Sequence, residues 1–351
     1  MAKAIKDKPA TLDDLIKNFN KSVGEEVVTY GMGEYNYTRI PFTSPRLNWC
    51  TYGGLPIGRI IEFFGEEHGG KTTTALDVIA NYQRMEGAKK VLYADAENTL
   101  DIEWAQKLGV DTSPEAFVLF QPKKGISAEV IFDFIVDAVA TGEIGLWVLD
   151  SIGVLFSDAE WEKSIQDKTY GGISKPLTNF SKKVEQVMAG TECTGIGINQ
   201  IRENLNSTWG GVTTPGGKAW RHMCSVRLQF SRGKFYDEKG TEISRGSENP
   251  VGNIVNVDMP KNKTCPPKRH ITSYSLHYDI GIDYIKDLVE MCIDVGFIEK
   301  KGAWFEILNP ETGEVACEKI QGQAGVAEFV AENDEILEML EENLNSIIID
   351  K

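Results

Sequence analysis

The chain has 351 residues, 41% hydrophobic and 25% charged, with a formal net charge of −15, which is enough to bury a large core and excludes a chain disordered throughout. No apolar run approaches bilayer-spanning length, the start MAKAIKDKPATLDD lacks the apolar segment of a secretory leader, and the six cysteines and four histidines fall in no metal-binding spacing. A membrane protein, a secreted disulfide scaffold and a zinc protein are therefore set aside, and a cytoplasmic protein with free thiols is expected.

In chain order, residues 11–20 read as a short helix capped by Thr11 and residues 26–30 as a short strand. An arm this small cannot bury a core of its own, so its apolar face needs the body or a neighbouring subunit. Residues 60–64 form an apolar strand, residues 65–72 read GEEHGGKT, and residues 73–84 repeat apolar side chains at helical spacing. Strand, G-x-x-x-x-G-K-[ST] loop and helix in that order make a phosphate site, because the glycines let backbone N–H groups curl round phosphate oxygens at a helix N-terminus. Gly65, Glu66, Glu67, His68, Gly69, Gly70, Lys71, Thr72 and Thr73 are the expected ATP-binding residues. Among them Lys71 reaches the β- and γ-phosphates and the Thr72 hydroxyl holds Mg²⁺.

Strand 91–94 ends in Asp95-Ala96-Glu97, where Glu97 is a candidate to polarise an attacking water and Asp95 is equally readable as a helix N-cap. Strand 117–120, helix 128–140, strand 146–149 closed by Asp150, and strand 195–198 continue the alternation of a parallel sheet covered by helices. Asp150, at the end of an apolar strand, suits the Mg²⁺ shell, through a water. Strands 226–230, 254–258 and 271–276 follow without helices between them and are expected to extend the sheet antiparallel. A small α/β unit begins past Gly281, with a helix over 284–295, the segment GFIEKKGAWFEI, and an acidic helix around 336–344.

Charge is segregated along the chain. Residues 328–342 carry no Lys or Arg, whereas Lys168, Lys175, Lys182 and Lys183, then Arg202, Lys218, Arg221, Arg227, Arg232 and Lys234, then Lys261, Lys263, Lys268 and Arg269 form cationic stretches. Local patches decide phosphate binding, so the acidic total does not exclude nucleic acid.

Six blocks, GGLPIGRIIEFFGEEHGGKTTTALDVIA, YADAENTLDIEWAQKLGVD, LWVLDSIGVL, GINQIR, TTPGGKAWRHMCSVRL and PKNKT, resemble in order the motifs of the RecA family of bacterial homologous recombinases, over about residues 40–322. The resemblance implies an α/β, RecA-type P-loop ATPase core with a mainly parallel central sheet. It also implies an N-terminal oligomerisation arm (1–36), a core (37–280) with two DNA-binding loops (about 158–172 and 203–215), and a C-terminal α/β domain with an acidic end (281–351). The family's catalytic glutamate falls on Glu97 and its γ-phosphate sensor on Gln200. Its adenine-binding residues fall on Asp101, Trp104 and Tyr278, with Trp104 in place of the usual tyrosine. Its pair of lysines that reach the adjacent subunit's ATP falls on Lys261 and Lys263.

The DNA contacts so implied are Tyr170, Gly171, Gly172, Lys175, Lys182, Arg202, Leu205, Trp209, Gly216, Gly217 and Lys218, with Tyr170 and Leu205 as wedges between base triplets. Both loops depart from the family pattern: the second is one residue shorter, Pro176 replaces a helix former and Lys175 stands where arginine is usual. The implied activity is an ATP- and Mg²⁺-dependent filament on single-stranded DNA that pairs with homologous double-stranded DNA and exchanges strands. Single-stranded DNA-binding and mediator proteins are the implied partners, in a bacterial or phage-infected cell. A ring-forming DNA helicase on the same core, and a nucleotide-gated DNA-coating protein, are the alternatives.

Overall fold

The computed structural model describes residues 11–30, 37–123, 125–162, 172–203, 212–238, 240–244 and 249–349. The chain divides into two compact units, Met1–Tyr37 and Thr38–Lys351. In the first, helix Leu12–Val23 is capped by Thr11, whose side chain accepts from the Asp14 N–H, and it closes at Gly24 in the left-handed region. Leu12, Leu15, Phe19 and Val23 share one helical face and all are exposed. The strand expected over 26–30 does not form. Among the described residues it has no strand to pair with, and the Asn20 side chain instead accepts from the N–H groups of Val27 and Val28 and donates to the Val28 carbonyl.

The second unit is built on a ten-stranded sheet. Its path uses β1 (Ile60–Gly65), β2 (Lys90–Asp95), β3 (Phe117–Phe120), β4 (Ile144–Asp150), β5 (Thr194–Gln200), β6 (Val226–Tyr236), β7 (Gly252–Asn262), β8 (Ile271–His277) and β9 (Gly281–Ile282), in the order β9-β8-β7-β6-β1-β5-β4-β2-β3, with Glu242–Ile243 added to β6. Pairing is parallel from β6 through to β3 and antiparallel from β6 to β9. The antiparallel extension therefore starts one strand later than the sequence suggested. The chain reaches β6 from β5 by a crossover that contains helix Gly217–Met223, the long connection a parallel neighbour requires.

Alternation along the strands divides the core. Ile61, Phe63, Val91, Tyr93, Leu146 and Val148 pack with helix Lys71–Gln83 on one face, while Leu92, Ala94, Trp147 and Leu149 pack with helices Ala128–Ala140 and Ser174–Met188 on the other. Register sets the site: Gly65 lies beside Gln200 and Asp95 beside Asp150. Four strand ends thus meet at one carboxyl edge, where open α/β sheets bind their ligands.

A third cluster joins helix Tyr284–Asp294, a three-stranded sheet (Ile298–Lys301, Trp304–Leu308, Val315–Gln321) and helices Gly322–Glu332 and Asp334–Ile349. The acidic end is no loose tail, since Leu340, Leu344 and Ile348 are buried in this cluster. Asp287 fastens the region to the rest of the unit. Its Oδ2 accepts from Ser44 Oγ at 2.5 Å and from the Arg46 N–H at 3.1 Å, and Arg46 pairs with Glu290 and Asp294. Complete burial pushes the Asp287 carboxyl up to about 7 against those hydrogen bonds. Among the described residues no helix is long and apolar enough to cross a membrane.

Candidate active site

The phosphate loop connects β1 to helix Lys71–Gln83. Two of its glycines are required by geometry. A Cβ on Gly65 (φ 153°) would stand 1.9 Å from the Phe230 carbonyl oxygen on the neighbouring strand, and Gly70 caps the helix at φ 89°. Glu66, Glu67 and His68 are exposed, and Gly69, Lys71 and Thr73 lie deeper. Lys71 is only 8% exposed, and its Nζ folds back to the carbonyls of Gly65 (3.2 Å) and Glu66 (2.5 Å). Burial lowers its pKa, and the nearby Asp150 and Glu97 oppose that shift. A cation held only by loop carbonyls exchanges readily for phosphate oxygens, which are stronger acceptors.

The Thr72 hydroxyl donates to Asp150 Oδ2 at 2.7 Å, and the hydroxyl of Tyr93 donates to the same oxygen at 2.8 Å. Burial raises the Asp150 carboxyl to about 6 against these two hydrogen bonds. A hydroxyl and a carboxylate, with no cluster of three or more His, Cys, Asp or Glu among the described residues, are a hard, sparse oxygen set. They fit Mg²⁺, which keeps waters and takes substrate phosphates as ligands.

Beyond β4, Ser151 Oγ donates to Glu97 Oε1 at 2.5 Å, and Gln200 Nε2 reaches the same oxygen at 3.4 Å. Gln200 also packs against Gly153, whose carbonyl accepts from Arg202 at 3.4 Å. Asp95 has a structural role, accepting from the N–H groups of Thr99 and Leu100 and from Gln121 Nε2.

Next to Gln200, Asn199 donates to Glu62 Oε1 (2.9 Å) and to the Pro215 carbonyl (3.0 Å), and it accepts from the Gln200 N–H. Glu62, wholly buried, pairs with Arg227 at 2.5 Å, and Arg227 lies 4.3 Å over the Phe64 ring and reaches Thr214. The second loop is drawn together at its base, where Arg202–Glu203 pairs antiparallel with Val212–Thr213. This network joins the strand before the phosphate loop, the strand of Gln200 and the far end of the loop.

The RecA N-terminal domain family matches residues 10–283, most of the chain. Relatives named Protein RecA cover it almost throughout: that of Thermus thermophilus is 34% identical over 335 residues (94% of this chain, 92% of the relative), and that of Rhodococcus jostii 32% identical over 348 (98% and 94%). That of Mycobacterium avium is 34% identical over 293 residues, 83% of this chain and 77% of the relative. The chain belongs to the RecA family.

A RecA-family chain is an ATP-dependent recombinase and a DNA-dependent ATPase, and neither the helicase nor the coating protein is favoured. The other candidate residues lie around this core. Asp101 caps helix Ile102–Lys107 by accepting from the Trp104 N–H, Trp104 packs against the central cluster, and Tyr278 is 44% exposed with its hydroxyl on Asn253. Their segments touch where Gly281 abuts Leu108. Helix Gly217–Met223 starts at Gly216 and exposes Lys218, and helix Ser174–Met188, preceded by Gly172, exposes Lys175 and Lys182. The first loop opens as a helical turn, Asp158–Trp161, closed by a Ser157–Glu160 capping box. Tyr170, Gly171, Leu205 and Trp209 lie outside the described residues.

Lys261 and Lys263 meet helix Gly217–Met223 from below. Lys261 Nζ donates to the carbonyls of Arg221 (2.5 Å) and His222 (3.0 Å), and Lys263 Nζ to that of His222 (3.0 Å). Two cations at a helix C-terminus are favourably placed. Motif reading gave no role to Tyr93, Ser151, Glu62 or Asn199, and took Arg227 only as part of a cationic stretch. Ser151 and Asn199 carried a signal as chain neighbours of Asp150 and Gln200.

Proposed function

We propose that the chain polymerises as a helical filament on single-stranded DNA, binds ATP with Mg²⁺ at the phosphate loop, aligns the strand with homologous duplex and exchanges strands, with hydrolysis resetting the filament. The observation that carries this reading is the contact of Gln200 with Glu97, because one amide touches the carboxylate assigned to water while standing at the root of a loop assigned to DNA. In this reading Lys71 releases the loop carbonyls for phosphate oxygens, and Thr72 directly and Asp150 through a water would hold Mg²⁺, which would supply charge neutralisation at the phosphates. Glu97 orients the attacking water and takes its proton, while Gln200 exchanges Glu97 for the terminal phosphate. Asp101, Trp104 and Tyr278 hold the adenine.

Self-association is supported by the exposed apolar face of the arm helix. The body exposes Val130 and Phe134, one turn apart on helix Ala128–Ala140, and ends its sheet at the open edge of β3, the surfaces we assign to a neighbour's arm. Lys261 and Lys263 serve the neighbour's ATP in trans. Arm, core and C-terminal region act as three functional parts. Single-stranded DNA-binding and mediator proteins are further partners, in the cytoplasm of a bacterial or phage-infected cell. A strand-exchange assay with homologous duplex, beside electron microscopy with ATP and single-stranded DNA, tests the reading: continuous filaments and joint molecules are expected, and closed rings or coated DNA without exchange overturn it.

A further inference from the structure

Tyr93 sits in the middle of β2, 1% exposed, with its ring 6.1 Å from that of Phe117. It faces the same side of the sheet as Val148 and Asp150 on the adjacent strand. Its hydroxyl and that of Thr72 converge on one carboxylate oxygen, Asp150 Oδ2. That oxygen has two lone pairs, so the two donors fill it. The terminal torsion of an aspartate is otherwise soft. Two donors on different elements, the helix of Thr72 and the strand of Tyr93, restrain it and leave Oδ1 as the oxygen that would accept from a water of the metal shell.

The two donors are not equivalent. Thr72 belongs to the helix that opens the phosphate loop, and its oxygen is the one assigned to the metal. Tyr93 belongs to the sheet interior, is buried in the central apolar cluster beside Phe117, and contacts Asp150 from the strand and not from the phosphate loop. We propose that Tyr93 is a positioning residue for Mg²⁺: it holds Asp150 in the orientation that receives the hydrated ion, and does so whether or not nucleotide is present. The inference rests on the assignment of Thr72 and Asp150 to the metal shell.

Tyr93→Phe removes one oxygen and leaves the ring in place, so it tests the hydroxyl alone. Binding of a fluorescent, non-hydrolysable ATP analogue to the full chain, titrated with Mg²⁺ and repeated in EDTA, separates metal-dependent from metal-independent affinity. The half-saturating Mg²⁺ concentration should rise roughly ten-fold, the order expected for one charge-assisted hydrogen bond partly replaced by water, with affinity in EDTA unchanged. An unchanged Mg²⁺ midpoint, an equal loss of affinity in EDTA, or a melting temperature far below the parent's without nucleotide would each overturn the proposal and assign Tyr93 to packing. Asp150→Asn measured in parallel tells the two claims apart. If it leaves the Mg²⁺ midpoint unmoved, the metal-shell assignment fails; if it moves the midpoint and Tyr93→Phe does not, only the role of Tyr93 fails.

Discussion

Glu97 is held by two donors on one oxygen, Ser151 and Gln200, in a half-buried position beyond the strand that ends at Asp150. Its amide, Glu97→Gln, keeps the size of the side chain but loses the proton acceptor. Nucleotide affinity should stay within about two-fold while DNA-dependent turnover falls by about 10²-fold or more, read by equilibrium binding and steady-state hydrolysis. Lys71→Ala should lose both. Turnover at the parental rate in Glu97→Gln would remove Glu97 from the reaction. At this scale the sequence was most legible where a motif fixes both residue type and spacing, as in residues 65–72 and Asp150. It was silent on Tyr93 and Glu62, because their partners Asp150 and Arg227 are brought alongside only by sheet register.

Among elements, the strands were readable because each is buried and bounded by turn residues, whereas direction and partner were not. Residues 26–30 have strand-like composition but no strand to pair with among the described residues of their unit, so composition misled there. The attachment of helix Tyr284–Asp294 to the segment at Ser44–Arg46 was equally invisible, since it depends on Asp287 meeting groups some 240 residues earlier in the chain. That contact has a pH signature. The folded-state carboxyl lies at about 7 against an ordinary 3.8, so between pH 4 and 7 the folded chain holds a proton that the unfolded chain releases, and stability falls as pH rises through that window. Asp287→Asn cannot ionise. Its melting temperature should decline less than the parent's from pH 5 to 8, by about a few degrees in thermal melts. Parallel decline in the two proteins would show that Asp287 is not charged at neutral pH at any cost to the fold.

For the whole molecule, the proposal that Lys261 and Lys263 serve a neighbour's ATP predicts complementation. A Lys71→Ala chain can still lend Lys261 and Lys263, and a Lys261→Ala/Lys263→Ala chain keeps its own phosphate loop. Mixtures should regain DNA-dependent hydrolysis, at up to about a quarter of the parental rate for random equimolar assembly. No recovery at any ratio, with co-assembly verified, returns the lysines to their local role at the end of helix Gly217–Met223. The acidic end, being packed, is better neutralised than deleted. Glu335→Gln, Glu338→Gln and Glu342→Gln together, all at exposed positions, should raise duplex affinity several-fold at low salt, with the gain fading as salt rises. Equal affinities in low salt would show that this helix does not repel DNA.

The base of the second loop has an evolutionary consequence. Paired at Arg202–Glu203 with Val212–Thr213 and tied by Asn199 to Pro215, its two ends are joined whatever lies between them. The cost of closing such a span grows only with the logarithm of its length. Residues within it can therefore be gained, lost or exchanged with little penalty to the nucleotide site beneath, which leaves this stretch open to rapid divergence while Gln200, a few residues away, is confined.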